Sequence, residues 1–124
     1  MSSPFLSRIG SVFVPVRDIE KARDWYCEML NLPAERAEIH FGHLCPLPME
    51  GPGLVLDKMP MWGGDEPGGP PTFRTPAFMF LTDDLHAAYR YMQDKGVELV
   101  TETMDDHWFA FRDPDGNLLM ACRR

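Results

Sequence analysis

The side chains able to do chemistry in this chain of 124 residues are few and scattered. Four histidines, His40, His43, His86 and His107, are the natural metal ligands or proton carriers, since imidazole changes charge near neutral pH and binds transition metals. No two of them have the helical or His-x-His spacing that would hold one ion between them. His40 and His43 lie three apart across an expected Phe41-Gly42 turn. His40, His43 and His107 fall on expected strands that would edge one cavity, and His43 and His107 are each either a satisfied or cavity-lining imidazole or a metal ligand. His86 falls in the first turn of an expected helix, off its apolar stripe, and should face solvent. Asp57, at the end of an expected strand, is either the base of a pocket or a surface acid. Cys27, Cys45 and Cys122 are odd in number and far apart, which fits neither a disulfide framework nor a Cys-x-x-Cys motif, so three reduced, buried thiols are expected.

Composition bounds the scaffold that must position these groups. Hydrophobic residues are 44% and charged residues 25% of the chain, the make-up of a soluble globular protein with one core. The longest apolar runs, 12–16 and 77–81, fall far short of the roughly 20 residues needed to cross a bilayer, so no membrane partner is expected. The first residues, Met1 to Arg8, lack the basic stretch, apolar run and cleavage site of a signal peptide, so a cytoplasmic protein is expected. A net charge of −7 without a basic patch disfavours nucleic acid, whose binding relies on clustered Lys and Arg.

Periodicity gives the elements. Ser11 to Val16 has strand character, with Pro15 marking an edge or bulge. Asp18 is a plausible helix N-cap, and Ile19, Ala22, Tyr26, Met29 and Leu30 form an apolar stripe that Asn31 and Pro33 end. Short strands broken by turns follow from about Glu35 to Lys58, with the turn Glu50-Gly51-Pro52-Gly53 leading into Leu54 to Asp57. The same βαβββ order then returns. Ala77 to Thr82 reads as a strand, Asp84 as an N-cap, and Leu85, Ala88, Tyr89 and Met92 as a stripe ended by Gly96. Strands are expected at Val97 to Thr101, His107 to Arg112 and Asn117 to Cys122, the last two joined by Asp113-Pro114-Asp115-Gly116. An offset of 66 carries Ser11 to Ala77 and Asp18 to Asp84, and one of 63 carries the first turn onto the second, so this is a structural repeat. The expectation is one α+β domain over 1–124, with module one at about 9–58, a linker at 59–76 and module two at about 77–122.

A single helix covers only one face of a four-stranded sheet. Alternation puts Val12, Val14 and Val16 under the first helix and leaves Ser11 and Phe13 on the other side. Met79, Leu118 and Met120 are left over in the second module in the same way. Two such modules can bury these residues by curling a mixed sheet around a shared cup, within one chain or across a dimer, and that cup is the natural binding site.

Val14-Pro15-Val16-Arg17-Asp18, Ala22-Arg23-Asp24-Trp25-Tyr26 and Phe111-Arg112-Asp113-Pro114-Asp115-Gly116-Asn117, in this order and within the repeat, closely resemble the vicinal oxygen chelate superfamily, which includes glyoxalase I, extradiol dioxygenases and bleomycin-resistance proteins. The resemblance spans about Ile9 to Cys122. It implies a glyoxalase-like fold, a twofold homodimer and, in metal-dependent members, ligands from the first and fourth strands of each module. Those places correspond here to Ser11, Asp57, Ala77 and Met120. A catalytic divalent ion there needs His, Gln or Glu. Ala77 has no lone pair, Met120 offers a soft thioether and Ser11 a weak neutral oxygen, so no metal cofactor is expected.

The linker from Met59 to Pro76 holds five prolines and four glycines. Its Met59, Met61 and Trp62 either close over a ligand as an apolar lid or belong to a plain connector whose Trp62 packs on a rim or a dimer contact. The expectation is a metal-free protein that holds a small, partly aromatic molecule, with Ser11, Phe13, His43, Asp57, Trp62, Met79, His107, Leu118 and Met120 as ligand contacts. The alternative is a divalent-metal-dependent lyase or dioxygenase of the same superfamily with displaced ligands.

Overall fold

A computed structural model describes residues 2–124. The elements are β1 (Ser11–Pro15), α1 (Ile19–Met29), a 3-10 turn (Ala34–Arg36), β2 (Leu44–Pro46), β3 (Gly53–Asp57), β4 (Met79–Thr82), α2 (Leu85–Asp94), β5 (Glu98–Leu99), β6 (Trp108–Arg112) and β7 (Leu118–Arg123). They divide into two compact units. The first holds the residues up to Val14 with Asp18–Lys58, and the second holds Pro15–Arg17 with Met59–Arg124.

In the first unit the strand order is β1-β3-β2, with β2 and β3 antiparallel in the register Leu44↔Asp57, Cys45↔Leu56 and Pro46↔Val55. Helix α1 starts where expected because the Asp18 carboxylate accepts the Lys21 N–H at 3.1 Å, satisfying one of the four orphan donors of a helix start. It stops at Asn31, whose φ of 54° is the left-handed conformation that Asn tolerates better than most residues. Ile19, Ala22, Tyr26 and Cys27 of α1 are buried together with Val14, Cys45, Leu54 and Leu56 of the sheet. Each large side chain so enclosed contributes about 1.5–3 kcal/mol. The sequence suggested three strands between 35 and 58, but two form, beside a 3-10 turn and an isolated His40↔Leu44 bridge. Pro46 and Pro48 have no N–H to offer a ladder, which keeps β2 to three residues.

The second unit has strand order β4-β7-β6-β5, with β4 parallel to β7 and the other pairs antiparallel. This is the expected module with trimmed ends: β4 starts at Met79 rather than Ala77, β5 keeps only Glu98–Leu99, and β6 starts at Trp108 rather than His107. The Asp84 carboxylate caps α2 by accepting the Ala87 N–H at 3.0 Å, and Gly96, at φ 74°, follows the helix end. Leu85 is buried beneath α2, and Tyr89 meets Phe109 edge to face at 5.2 Å. A run of ring contacts continues through Phe109–Phe111 at 5.9 Å, Phe111–Phe80 at 6.2 Å and Phe80–Phe78 at 5.3 Å.

The turn Asp113 to Asn117 is more than a tight connection. Asp113 Oδ1 accepts the Asp115 and Asn117 N–H groups, each at 2.9 Å. Fully buried Asn117 donates through Nδ2 to Asp113 Oδ2 at 2.9 Å and to the Pro15 carbonyl at 2.8 Å, and its Oδ1 accepts the Phe73 N–H at 2.8 Å. Asp115 Oδ1 accepts the Arg17 N–H at 2.9 Å. These bonds explain why Pro15–Arg17 belongs with the second unit. Among the described residues, every buried side-chain nitrogen and oxygen has a partner.

The linker lacks strands but is not featureless. Trp62 and Gly64 N–H groups both reach the Met59 carbonyl, at 2.9 and 2.7 Å, and further turns close at Glu66 and Gly69. Gly69 has a φ of 76°, a conformation that favours glycine, while the exposed Arg17 side chain lying 2.8 Å from where a Cβ would stand is flexible enough to shift. Among the described residues, no helix is long and apolar enough to cross a membrane.

Candidate functional site

Each unit turns one sheet face to its helix and leaves the other open. In the first unit, alternation along β3 sends Leu54 and Leu56 toward α1, and Val55 and Asp57 to the opposite side. On β1, Val14 is buried while Phe13 remains 51% exposed and Ser11 is exposed. The expected alternation of β1 is therefore seen from Ser11 to Val14, with Val12 half-buried, and ends at Pro15, which is buried beside Val14.

The polar centre of this unit is formed by His43 and Asp57. The Lys58 N–H donates to the His43 carbonyl at 3.0 Å, next to the Leu44↔Asp57 pair, and this closure carries the imidazole over the end of β3. His43 Nδ1 lies 2.9 Å from Asp57 Oδ1. A carboxylate oxygen accepts, so the hydrogen of this bond sits on Nδ1 and Nε2 is the ring nitrogen that Asp57 does not engage. The imidazole is 30% exposed and the carboxylate 11%. Asp57 is thus neither a surface acid nor the outermost polar group: it lies behind His43 and orients it. His40 bridges Leu44 through its backbone and is exposed.

In the second unit, Met79 and Met120 are direct cross-strand partners, and Met120 also faces Ala110 on β6. Leu118 lies two residues before Met120 and so shares its face. Leu81, not singled out from the sequence, extends this face from β4 at 62% exposure beside Met79 at 55%. The strict alternation from Met79 was the signal for it. Three of the expected contacts, Met79, Leu118 and Met120, are therefore brought onto one face.

Two other expected contacts, His107 and Trp62, belong to the same unit. His107 is exposed in the turn before β6, three residues along from Ala110, the partner of Met120. Trp62 is 69% exposed and Met61 81% exposed in the linker turns, without the packing expected of a closed lid. His86 is half exposed, as expected for a solvent-facing residue, but it has a partner: its Nε2 lies 2.6 Å from Asp106 Oδ1. That hydrogen bond, with the Arg123 guanidinium behind it, holds the Asp106 carboxyl below the usual range. A groove of about 360 Å³ lined by His86, Tyr89, Arg90, Gln93, Glu102 and Thr103 contains none of the expected ligand contacts.

The donor set does not fit a catalytic divalent metal. Of the four superfamily positions, Ala77 lies outside β4 and has no donor, Met120 offers a thioether, Ser11 is an exposed hydroxyl, and the Asp57 carboxylate is engaged by His43. Among the described residues, no three His, Cys, Asp or Glu side chains gather as a metal would need. The three cysteines are buried thiols, and burial pushes each of them up from the ordinary thiol value.

Two small mixed sheets of three and four strands, each with one helix, define an α+β protein of the glyoxalase-like fold. The chain belongs to the Glyoxalase/Bleomycin resistance protein/Dioxygenase superfamily, whose family model matches residues 8–121. Among solved structures it is similar to TnmS3, an antibiotic binding protein from Streptomyces sp. CB03234, with 26% identity, a TM-score of 0.72 and coverage of 95% of this chain and 96% of that one. It is also similar to a superfamily member from Sphaerobacter thermophilus, at 23% identity, TM-score 0.68 and coverage of 96% and 98%. A lactoylglutathione lyase from Agrobacterium tumefaciens shares the fold at 15% identity, TM-score 0.70 and coverage of 98% and 96%. No curated protein matches the sequence.

Proposed function

We propose that the chain works as one metal-free binding domain, holding a small, partly aromatic organic molecule against its open sheet faces. The observation that carries this reading is the Met79↔Met120 pair with Leu118 and Leu81 beside it: an apolar face, half exposed, on the side of the sheet that α2 does not cover. Ligand sites combine such apolar surface with a few polar groups; in the first unit, taken by itself, the polar group is His43 backed by Asp57. Methionine thioethers adapt to ligands of different outline, which favours loose selectivity. Similarity to an antibiotic binding protein at 26% identity supports a small-molecule ligand. The protein acts in the cytoplasm as a homodimer, without a nucleic-acid or membrane partner.

A thermal-shift screen of planar organic compounds, followed by titration of the best binder into Met79→Glu and Met120→Glu, tests the site. Both substitutions place a charge on the apolar face and should weaken binding about tenfold or more. Unchanged affinity in both folded variants would overturn the assignment and direct attention to the groove beside His86 and Arg90.

A further inference from the structure

Between the 3-10 turn and β2, the chain makes a tight reversal at His40-Phe41-Gly42-His43. The Leu44 N–H donates to the His40 carbonyl at 3.0 Å, and the His40 N–H donates to the Leu44 carbonyl at 2.7 Å. Phe41 at its tip has a φ of 54°, the left-handed region, which is uncommon for any residue but Gly and an outlier for a bulky one. Such a conformation costs about 1–3 kcal/mol. Packing does not offset it, because Phe41 is 89% exposed. The turn therefore carries two local costs at one residue, backbone strain and an exposed aromatic ring, and neither serves the core. Departures of this kind are expected where function, rather than stability, sets the residue.

The neighbours of Phe41 indicate what that function is. Its ring centroid lies 6.4 Å from the imidazoles of both His40 and His43, with interplanar angles of 48° and 33°. The His43 ring is fixed by Asp57, and the tautomer that bond selects leaves Nε2 as a hydrogen-bond acceptor. An exposed aromatic ring and a positioned acceptor thus stand side by side on one short turn.

We infer that the 40–43 turn is a recognition element for a planar ligand bearing a hydrogen-bond donor on its edge, such as a phenolic or enolic hydroxyl. Phe41 lies against the ligand ring, His43 Nε2 accepts from the hydroxyl, and Asp57 is the positioning residue that holds the imidazole and its tautomer. The inference rests on the binding reading above and adds the polar edge that the ligand must carry.

Fluorescence titration with 2-naphthol and its ether 2-methoxynaphthalene tests it, since the two share the ring and differ in the donor. The intact protein should bind 2-naphthol about tenfold more tightly than the ether. Phe41→Ala, at an exposed site where folding is not at stake, should weaken both about fivefold. His43→Gln and Asp57→Asn should reduce the preference for 2-naphthol over the ether while leaving the Phe41-dependent ring contribution, a split that general unfolding would not produce. Failure of the intact protein to bind 2-naphthol at millimolar concentration, or binding by Phe41→Ala and His43→Gln as tight as that of the intact protein, would overturn the inference. If screened ligands still lost affinity in Met79→Glu, the broader binding reading would stand without it.

Discussion

The Asn117 side chain donates to the Pro15 carbonyl across 102 residues of sequence, at 2.8 Å and in a fully buried site. The same amide holds Phe73 and Asp113, so one residue joins the segment before α1, the linker and the β6–β7 turn.

Asn117→Ala should therefore cost about 2–4 kcal/mol, since it strands the part-buried Phe73 donor and the buried Pro15 acceptor together. Urea denaturation gives the value. A loss under about 0.5 kcal/mol, the range of ordinary surface substitutions, would show that the clasp is dispensable.

This clasp marks the limit of what the sequence made legible. Helices α1 and α2 could be read because Asp18 and Asp84 each cap a start and because Ile19, Ala22 and Tyr26 or Leu85 and Tyr89 repeat at helical spacing. The open faces could be read because side chains alternate along strands, which placed Phe13, Met79, Leu118 and Met120 correctly as residues no helix covers. The tight turn at Asp113 to Gly116 was visible, but not that Asn117 after it closes three segments, since those bonds join residues 44 and 102 apart. The His43–Asp57 bond was hidden for a similar reason: it depends on β2–β3 register, which a sequence with two prolines near β2 does not specify. Phe41 was seen only as part of a turn, and its left-handed backbone was not anticipated.

The buried thiols of Cys27, Cys45 and Cys122 should react slowly. Burial raises all three above the ordinary thiol value, so the native chain keeps these protons longer than the unfolded chain does. The associated stability is complete below the unfolded thiol value of about 8.5 and is lost as pH rises through the raised values, an alkaline and not an acidic effect. Ellman's reagent at pH 8 should therefore find the thiols only after urea is added. Rapid reaction of any of them in the native protein would contradict the account.

Exposed apolar side chains on the open faces, with Phe13, Met79 and Leu81 all more than half exposed, favour association into a homodimer. Light scattering at micromolar concentration should give twice the 14.2 kDa chain mass. A stable monomer would refute the dimer without bearing on ligand binding.

The central claim is that this member of the superfamily binds its ligand without a metal, because Ser11, Asp57, Ala77 and Met120 do not make a donor set and Asp57 instead supports His43. Calorimetric titration of chelator-treated protein with the best planar binder, before and after adding back nickel, zinc, iron or manganese, tests it most directly. The account predicts one affinity throughout and no stoichiometric metal retained after dialysis. Binding that appears only when a metal is restored, or a metal that survives dialysis at one per chain, would contradict it.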